Sequence, residues 1–398
     1  MIMQYQRLVI NTFSLFSLFA GTAFAVSPPL DCARKSLAEA VNAGHEKSIQ
    51  FTGICSGPIV IQTDGLTLTG VGTAIIDGGG QGQDAVTIKN LHAISLANLE
   101  IRNGKNGIIG VNGAHISLAD VNVHDNQVFG ISLQTASSAI MSNVTTIHNG
   151  VHGLDLETGS AGTITGQFTS SNNRVFGINV NGSSLTFSKS TATLSNNALG
   201  LQVATGANTF LNDPFTVLNL TDNLATGLTI VSGGHMVSFG GTINTRGNPL
   251  NGVSLNSKAG LDLDAGSLLT CDGNGDGLLL QENSVVTVFN IPQFSGAPGF
   301  STVDCKNNRG NGVKVRSGST LTLSNQAQLN STQNGAMGLV ADDGVGVTLV
   351  NSIITDNIVK DISLTFGSRA DLSSLSFVSY SCDTTVLVRG TSGIRCPH

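Results

Sequence analysis

The sequence predicts an all-β fold: a single-stranded, right-handed parallel β-helix (a solenoid) of about 11 or more rungs with an N-terminal capping helix. One observation is a glycine that recurs before an apolar pair, mostly at intervals of 23 to 27 residues and once at 35. A second is an asparagine four residues before most of these glycines. A third is the alternation of apolar and polar residues after the glycine, as in Leu154-Asp155-Leu156-Glu157, which is typical of a strand with one buried face. The recurring positions are Gly107, Gly130, Gly153, Gly177, Gly200, Gly227, Gly252, Gly277, Gly312, Gly338 and Asp361. The asparagines are Asn103, Asn126, Asn149, Asn173, Asn196, Asn223, Asn248, Asn308, Asn334 and Asn357, and Gly273 interrupts the series.

Each copy contains three short strand segments and is too small to fold alone. Stacked copies pair each strand with its equivalent in the next copy, about 4.8 Å away. The asparagines should then form a ladder inside one turn, in which each amide binds its neighbours. Right-handed winding is the usual hand of parallel crossovers.

The two ends of the chain carry different signals. Residues 1–25 read as a signal peptide, with Arg7 before an apolar run and Ala23-Phe24-Ala25 as a small-residue cleavage site. Residues 26–398 are then one β-helix domain that is secreted or periplasmic, with no membrane span. Residues 31–44 predict a helix that covers the first rung, with Asp31 at its start and Gly44 at its end.

Six cysteines in an exported chain indicate disulfides rather than metal thiolates. Proximity in sequence favours the pairs Cys32–Cys55, Cys271–Cys305 and Cys382–Cys396, and other connectivities stay open. The last pair would staple a C-terminal cap over residues 380–398. The middle pair would clip the long spacer between Gly277 and Gly312, which we interpret as an inserted loop.

The formal net charge is −6, which argues against a nucleic-acid partner because such binding needs a basic patch. The chain has no Trp and two Tyr, so any stacking against sugar rings would depend on Phe. We expect a monomer.

One candidate site lies on a strand face, two and four residues beyond the recurring glycine. Asp155 and Glu157 share this face with Cβ atoms roughly 7 Å apart, a spacing that suits paired carboxylates acting on a glycosidic bond or a cation site. The alternative is an ordinary solvated strand face. The predicted substrate-binding residues are Ser132, Gln134, Asp155, Glu157, Asn179 and Asn181.

A second candidate site lies in the turn that precedes the glycine. Asp125 and His148 fall in the same column of adjacent rungs, so the carboxylate could orient the imidazole for acid/base chemistry. His152 lies between Phe129 and Phe176 of the neighbouring rungs. Arg174 would neutralise the carboxylate of a uronate during proton abstraction. The alternative is a turn that is simply rich in polar residues. The predicted catalytic set is Asp125, His148, His152 and Arg174.

The segment from Asp272 to Gly277 matches the opening of a calcium-binding loop, with Asp272, Asn274 and Asp276 as ligands. Its twelfth position is Asn283 instead of the usual Glu, and the segment coincides with a rung turn, where Asn and Gly recur in any case. Calcium is therefore the cofactor that the sequence suggests, with an ordinary turn as the alternative.

Repeat phrases such as Asn126-Gln127-Val128-Phe129-Gly130-Ile131 and Asn173-Arg174-Val175-Phe176-Gly177-Ile178 carry a family resemblance over roughly residues 50–380. The chain resembles the right-handed β-helix repeat proteins of the pectate-lyase-like superfamily, in the group of NosD-like and alginate-epimerase-like modules. His124-Asp125 is similar to the end of the Asp-Pro-His-Asp motif of alginate epimerases, but Val121-Asn122-Val123 precedes it. No catalytic set of the superfamily is present intact.

The resemblance implies an exported β-helix protein that contacts an acidic extracytoplasmic polysaccharide, as a lyase- or epimerase-like enzyme. The superfamily also contains adhesins and inert stalks, so a non-catalytic structural, adhesin or surface-scaffold protein remains the alternative. Whether the protein is an enzyme stays open at this point.

Overall fold

The computed structural model of the protein describes residues 28–290 and 299–397. The predicted signal peptide lies outside these residues. Within them, the chain forms one short helix and 37 strands, so the predicted all-β class is confirmed. Nearly all of the strands are arranged in turns that stack along one axis and wind to the right.

In chain order, the elements begin with β1 (Leu30–Asp31), α1 (Leu37–Ala43), β2 (Ser48–Ser56), β3 (Ile59–Ile61), β4 (Thr67–Asp77), β5 (Val86–Lys89), β6 (Ile94–Arg102), β7 (Ile108–Val111), β8 (His115–His124), β9 (Ile131–Gln134), β10 (Ser138–Ile147), β11 (His152–Glu157), β12 (Ala161–Ser171), β13 (Phe176–Asn181), β14 (Ser184–Ser195), β15 (Leu199–Ala204), β16 (Asn208–Leu211), β17 (Val217–Thr221), β18 (Thr226–Ile230) and β19 (His235–Phe239). They continue with β20 (Thr242–Arg246), β21 (Asn251–Leu255), β22 (Gly260–Asp264), β23 (Leu268–Asp272), β24 (Asp276–Leu280), β25 (Val285–Val288), β26 (Thr302–Lys306), β27 (Val313–Val315), β28 (Thr320–Leu323), β29 (Gln328–Thr332), β30 (Met337–Ala341), β31 (Gly346–Val350), β32 (Ile353–Thr355), β33 (Lys360–Leu364), β34 (Arg369–Ser373), β35 (Ser376–Phe377), β36 (Tyr380–Cys382) and β37 (Leu387–Arg389).

The described strands form two parallel sheets that run the length of the solenoid. The smaller sheet has 14 strands, one from each turn, in the order β3, β5, β7, β9, β11, β13, β15, β18, β21, β24, β27, β30, β33 and β36. The remaining 23 strands form the larger sheet. Equivalent residues of successive turns pair in register, as Ile131, Leu154 and Ile178 do, so each predicted column becomes a real stack of side chains.

In the middle turns, the second and third predicted strand segments are one long strand with a bend. β8 bends at Asp120 and β10 at Asn143, where φ is 55° in both cases. Asp and Asn tolerate this left-handed conformation because their short polar side chains bond locally. From β16 onward the two segments separate. Between β16 and β17 the connection contains Pro214, which cannot donate to a ladder.

The asparagine ladder is confirmed, and its members are buried except the last, Asn357, which is partly exposed. Asn149 illustrates the pattern: its amide nitrogen donates to the Asn173 Oδ1 at 3.0 Å, and its backbone N–H donates to the same oxygen at 3.0 Å. Each side chain thereby satisfies backbone groups that the turn leaves without a strand partner. The members are Asn126, Asn149, Asn173, Asn197, Asn223, Asn248, Asn274, Asn308, Asn334 and Asn357.

Three details of the predicted ladder were wrong. Asn103 does not join it, because its amide binds the Asp77 carboxylate at 2.9 Å. Asn197 takes the ladder position, while Asn196 is exposed with φ at 55°. Asn274 continues the ladder where Gly273 was expected to interrupt it. In the last two cases the chain places the amide one residue later, because the preceding residue makes the left-handed corner of the turn.

The recurring glycine is explained by the ladder. A Cβ atom on Gly130 would lie 2.6 Å from the carbonyl oxygen of Gly153 and 2.8 Å from the amide nitrogen of Asn149. Both distances are shorter than real Cβ contacts, so only glycine fits between the ladder and the next turn.

The N-terminal cap is shorter than predicted. α1 begins after Ser36, whose hydroxyl accepts from the Glu39 N–H, so Asp31 is not the cap and instead lies in β1. Gly44 ends the helix with φ at 66°, as expected. Leu37 and Val41 face the core at the open end of the first turn. No helix in the described residues is long and apolar enough to cross a membrane.

Two of the three predicted disulfides are confirmed, Cys32–Cys55 and Cys382–Cys396. The prediction for Cys271 and Cys305 was wrong: they are neighbours in register on β23 and β26, but both are free and buried. Both side chains are fully buried, and burial raises the pKa of the Cys305 thiol, which is hydrogen-bonded to the thiol of Cys271. The spacing therefore predicted the neighbourhood of the two sulfur atoms but not their chemical state.

Candidate functional site

The outward side of the smaller sheet carries a row of hydrogen-bonded polar side chains. β9, β11, β13 and β15 place Ser132, Asp155, Asn179 and Gln202 in register. The Asn179 amide donates to Asp155 Oδ1 at 2.9 Å, the Ser132 hydroxyl donates to Asp155 Oδ2 at 3.4 Å, and the Gln202 amide donates to Asn179 Oδ1 at 3.2 Å. Consecutive turns are therefore linked on this face by side chains as well as by the backbone.

Asp155 is the unusual member of the row. Its exposure is 0%, although it points away from the core. Burial raises its pKa to about 7, and the negative charge of Glu157 acts in the same direction, while the bonds from Asn179 and Ser132 oppose the shift. At neutral pH the group is divided between its protonated and ionised forms.

A second polar row lies two residues further along the same strands. Gln134, Glu157 and Asn181 are half-buried, so part of each side chain reaches solvent. The Gln134 amide donates to the Ser132 hydroxyl at 3.1 Å and joins the two rows. All six residues predicted to bind substrate therefore lie on one continuous surface.

Stacked rings border the row of Ser132, Asp155 and Asn179 on the side opposite to the second row. The His152 ring lies between Phe129 and Phe176, with ring centroids 5.2 Å and 4.7 Å apart. Its Nδ1 accepts the Phe176 N–H at 3.3 Å, which requires the proton on Nε2. Burial lowers the pKa of His152 to about 4, so the imidazole is neutral at pH 7. These contacts hold His152 as part of the stack.

The stacked rings and the two polar rows together form one surface, which we name the Asp155 face. It consists of nine residues: Phe129, His152, Phe176, Ser132, Asp155, Asn179, Gln134, Glu157 and Asn181.

The other predicted catalytic residues do not assemble as expected. Asp125 and His148 do occupy equivalent corners of adjacent turns, with φ of 54° and 55°. The Asp125 carboxylate, however, binds Nδ1 of His124 at 2.6 Å instead of His148. His124 ends β8 and directly precedes Asp125 in the chain, so its ring lies within reach of the carboxylate. His148 and Arg174 are exposed on this turn.

Sequence reasoning missed a charged network next to Asp125. The His124 ring lies between two carboxylates, with Nε2 at 3.0 Å from Glu100 and Nδ1 at 2.6 Å from Asp125. Arg102 extends the chain, at 3.1 Å from Glu100 and 3.0 Å from Asp77. Asp77, Arg102 and His124 are equivalent residues of three successive turns, so aligning the strand before the asparagine would have revealed the cluster.

In the predicted calcium loop, the three side chains proposed as ligands are engaged in other contacts. Asn274 uses its side chain in the buried ladder, and the Asp272 and Asp276 carboxylates each accept from an asparagine of the next turn, Asn307 and Asn311. The three side chains thus serve three separate turn contacts. The part of the chain that the structure describes contains no group of three or more His, Cys, Asp or Glu side chains arranged to hold a metal ion.

Comparison with known proteins agrees with this architecture. Residues 47–215 match the family described as "Right handed beta helix region". The chain has the right-handed β-helix fold, and the family model covers less than half of it. No curated protein sequence matches this β-helix protein.

Three solved structures are similar to the β-helix protein. Full-length tailspike protein 2 of an Escherichia coli O157:H7 bacteriophage has a TM-score of 0.49 at 12% identity over 67% of this chain and 43% of its own. The match therefore spans less than half of the tailspike. The A-module of the Azotobacter vinelandii mannuronan C-5 epimerase AlgE6 gives 0.48 at 14% identity over 88% of this chain and 93% of its own. A double mutant of the periplasmic alginate epimerase AlgG gives 0.38 at 12% identity over 99% of both chains. Their activities are properties of those proteins, and identities this low transfer no site residue to this chain.

Proposed function

We propose that the protein is an exported polysaccharide-binding protein and that the Asp155 face is its binding surface. The observation that carries this proposal is a fully buried carboxyl group held between a hydroxyl and an amide, beside a stack of outward-facing rings. Structural stability alone does not require a raised-pKa carboxyl on the outside of a solenoid, and such perturbed groups cluster at functional sites. Two disulfides are consistent with an oxidising compartment.

The face matches the chemistry of a sugar chain. Sugar hydroxyls both donate and accept; the solvent-reaching amides of Gln134 and Asn181 offer both functions, and the Glu157 carboxylate accepts. The partly exposed rings of Phe129 and Phe176 offer apolar surface for the C–H side of a sugar ring. A ligand that spans several turns would meet the same pair of rows in each of them.

Within this face the residues have different roles. Gln134, Glu157 and Asn181 reach solvent and would contact the polysaccharide. Asp155 does not reach solvent, so it would act as a positioning residue that holds Ser132 and Asn179 in place. No bond-breaking step is assigned to it.

Charge favours a neutral polysaccharide over the acidic one expected from the sequence. The two rows contain carboxylates and no Lys or Arg between β9 and β15. An acidic chain would meet Glu157 without a compensating cation, and like charges at a contact are unfavourable.

The proposal is tested by measuring binding of the chain to immobilised neutral and acidic polysaccharides, by affinity electrophoresis and then by calorimetry. We expect Gln134→Ala and Asn181→Ala to weaken binding of the best ligand about tenfold each, since each removes a hydrogen bond worth roughly 1 kcal/mol or more. Thr229→Ala, two turns beyond Asn179 in the same row, is the matched control and should bind normally. The proposal fails if no polysaccharide binds, or if both face variants bind as the wild type does.

A further inference from the structure

The larger sheet carries a separate cavity of about 570 Å³ on the outward side of β6, β8, β10 and β12. Its residues lie far along the turn from the Asp155 face, on the other sheet. His115, Ser138, Ile140 and Ala161 are among the side chains that line it. No residue of the Asp155 face or of the predicted catalytic set lines this cavity.

A serine and a histidine meet inside it. Ser138 and His115 are equivalent residues of adjacent turns, and the Ser138 hydroxyl lies 2.9 Å from His115 Nδ1. When His115 is neutral with its proton on Nε2, the hydroxyl donates and Nδ1 accepts. A hydroxyl bonded to an imidazole is the arrangement that activates a serine nucleophile.

The surroundings leave this hydroxyl open to a ligand. The residue that follows Ser138 in its column is Ala161, whose small side chain does not cover it. Ile140, two residues along β10 on the same side, is 57% exposed and offers apolar surface to a short acyl chain. Ser117 is in register with Ile140, and its exposed hydroxyl is a further donor that lines the cavity. The His92 ring packs on His115 with centroids 4.8 Å apart and limits its movement.

We propose that Ser138 and His115 form an acyl-transfer site that hydrolyses short acyl esters, such as an O-acetyl group on a sugar hydroxyl. Ser138 Oγ attacks the ester carbonyl carbon while its proton passes to His115 Nδ1. The carbon–oxygen bond to the alcohol breaks, and the alcohol leaves with that proton. Water, deprotonated by the same imidazole, then attacks the acyl-serine, releasing the carboxylic acid and restoring the Ser138 hydroxyl. The Ser117 hydroxyl would stabilise the oxyanion of both intermediates.

The test uses 4-nitrophenyl acetate with the full chain, so it does not depend on polysaccharide binding. We expect hydrolysis above the buffer rate, and a loss of about a hundredfold in Ser138→Ala and in His115→Gln. Ser184→Ala is the matched control, because Ser184 follows Ala161 in the same column and has Ala161 and Asn208 as neighbours instead of a histidine.

A second readout is covalent. A fluorophosphonate probe should label Ser138, identified by peptide mass spectrometry, and labelling should be absent from His115→Gln and unchanged in Ser184→Ala. Circular dichroism of each variant reports whether the solenoid is intact. The inference is overturned if the wild-type chain hydrolyses no ester, if Ser138→Ala retains the activity, or if the label attaches elsewhere.

Discussion

The side-chain amide of Asn179 donates a 2.9 Å hydrogen bond to the carboxyl group of Asp155, which solvent does not reach. The amide compensates only part of the cost of burial, because the pKa of Asp155 remains raised to about 7. This contact joins two adjacent turns of the solenoid, and one of its two partners changes its charge near neutral pH.

Asp155→Asn should change how stability depends on pH. The folded-state pKa lies above the unfolded value of about 4, so the folded chain retains a proton that the unfolded chain loses. Stability is therefore lost as pH rises from about 4 to about 7, on the order of 4 kcal/mol for a shift this large. Asparagine does not ionise and can keep both neighbouring bonds, so the variant should gain stability relative to the wild type over this range.

Thermal melting of both chains at pH 4, 5.5 and 7.5 measures this difference. Glu46→Gln, which removes an exposed carboxylate outside the Asp155 face, is the control and should follow the wild type. A constant gap between Asp155→Asn and the wild type at all three values would contradict the buried, raised-pKa carboxyl.

His152→Phe should have the opposite pH signature. The pKa of His152 is lowered to about 4 by burial, so the unfolded chain binds a proton that the folded chain does not bind between about 4 and 6.5. The wild type accordingly gains stability as pH rises through this window. Phenylalanine continues the stack of Phe129 and Phe176 without a titrating group, and that rise should disappear.

Melting of His152→Phe and of the wild type at pH 4.5 and 7 tests this expectation. The melting temperature of the variant relative to the wild type should be higher at pH 4.5 than at pH 7. The variant lacks the acceptor for the Phe176 N–H at both pH values. An identical pH response in the two chains would show that the imidazole is not shielded from solvent.

Two adjacent asparagines should differ sharply in their contribution to stability. Asn197→Ala removes a buried amide that binds Asn223 Oδ1 and the Ser170 carbonyl, and it leaves the Asn173 backbone N–H without its acceptor. We expect a loss of roughly 2–5 kcal/mol in the free energy of unfolding. Asn196→Gly retains the left-handed corner and loses no ladder contact, so its effect should stay below about 1 kcal/mol. Denaturant unfolding of both variants decides the matter, and equal losses would mean that the ladder runs through Asn196 instead.

The thiols of Cys271 and Cys305 should not react with thiol reagents in the folded protein. Both are buried, so a reagent in solution cannot reach either sulfur atom, and burial also raises the pKa of the Cys305 thiol. An aromatic disulfide reagent should therefore titrate no thiol in native buffer and both of these thiols in guanidinium without reductant. If no thiol reacts after unfolding, the two sulfur atoms are bonded to each other in the purified chain.

The periodic parts of the sequence predicted the fold well. A glycine every 23 to 27 residues, with an asparagine before it, indicated stacked turns, and the in-register pairs confirm the columns around Gly130 and Gly153. Prediction was weaker wherever two neighbouring residues could fill one position. Asn196 and Asn197 are chemically identical, and only the backbone corner shows which one points inward.

The candidate sites show the same division. The rows of Ser132, Asp155 and Asn179 followed from alternation along the strands, but the burial of Asp155 did not, because its neighbours on adjacent turns provide the cover. The predicted partner of Asp125 was wrong for a related reason. The sequence places His148 in the same column as Asp125, whereas the carboxylate bonds to His124, the residue before it.

By itself the sequence determined the repeat, the stacking of equivalent residues and the polar face, because alternation and spacing depend only on local chain geometry. The tertiary structure alone decided which atoms of the stacked side chains meet. The contact of Ser138 with His115 joins residues of different turns, and the 0% exposure of Asp155 is the combined effect of several strands. Hydrogen bonding and desolvation act between turns, so the contacts and burial of these side chains are determined only when the turns stack.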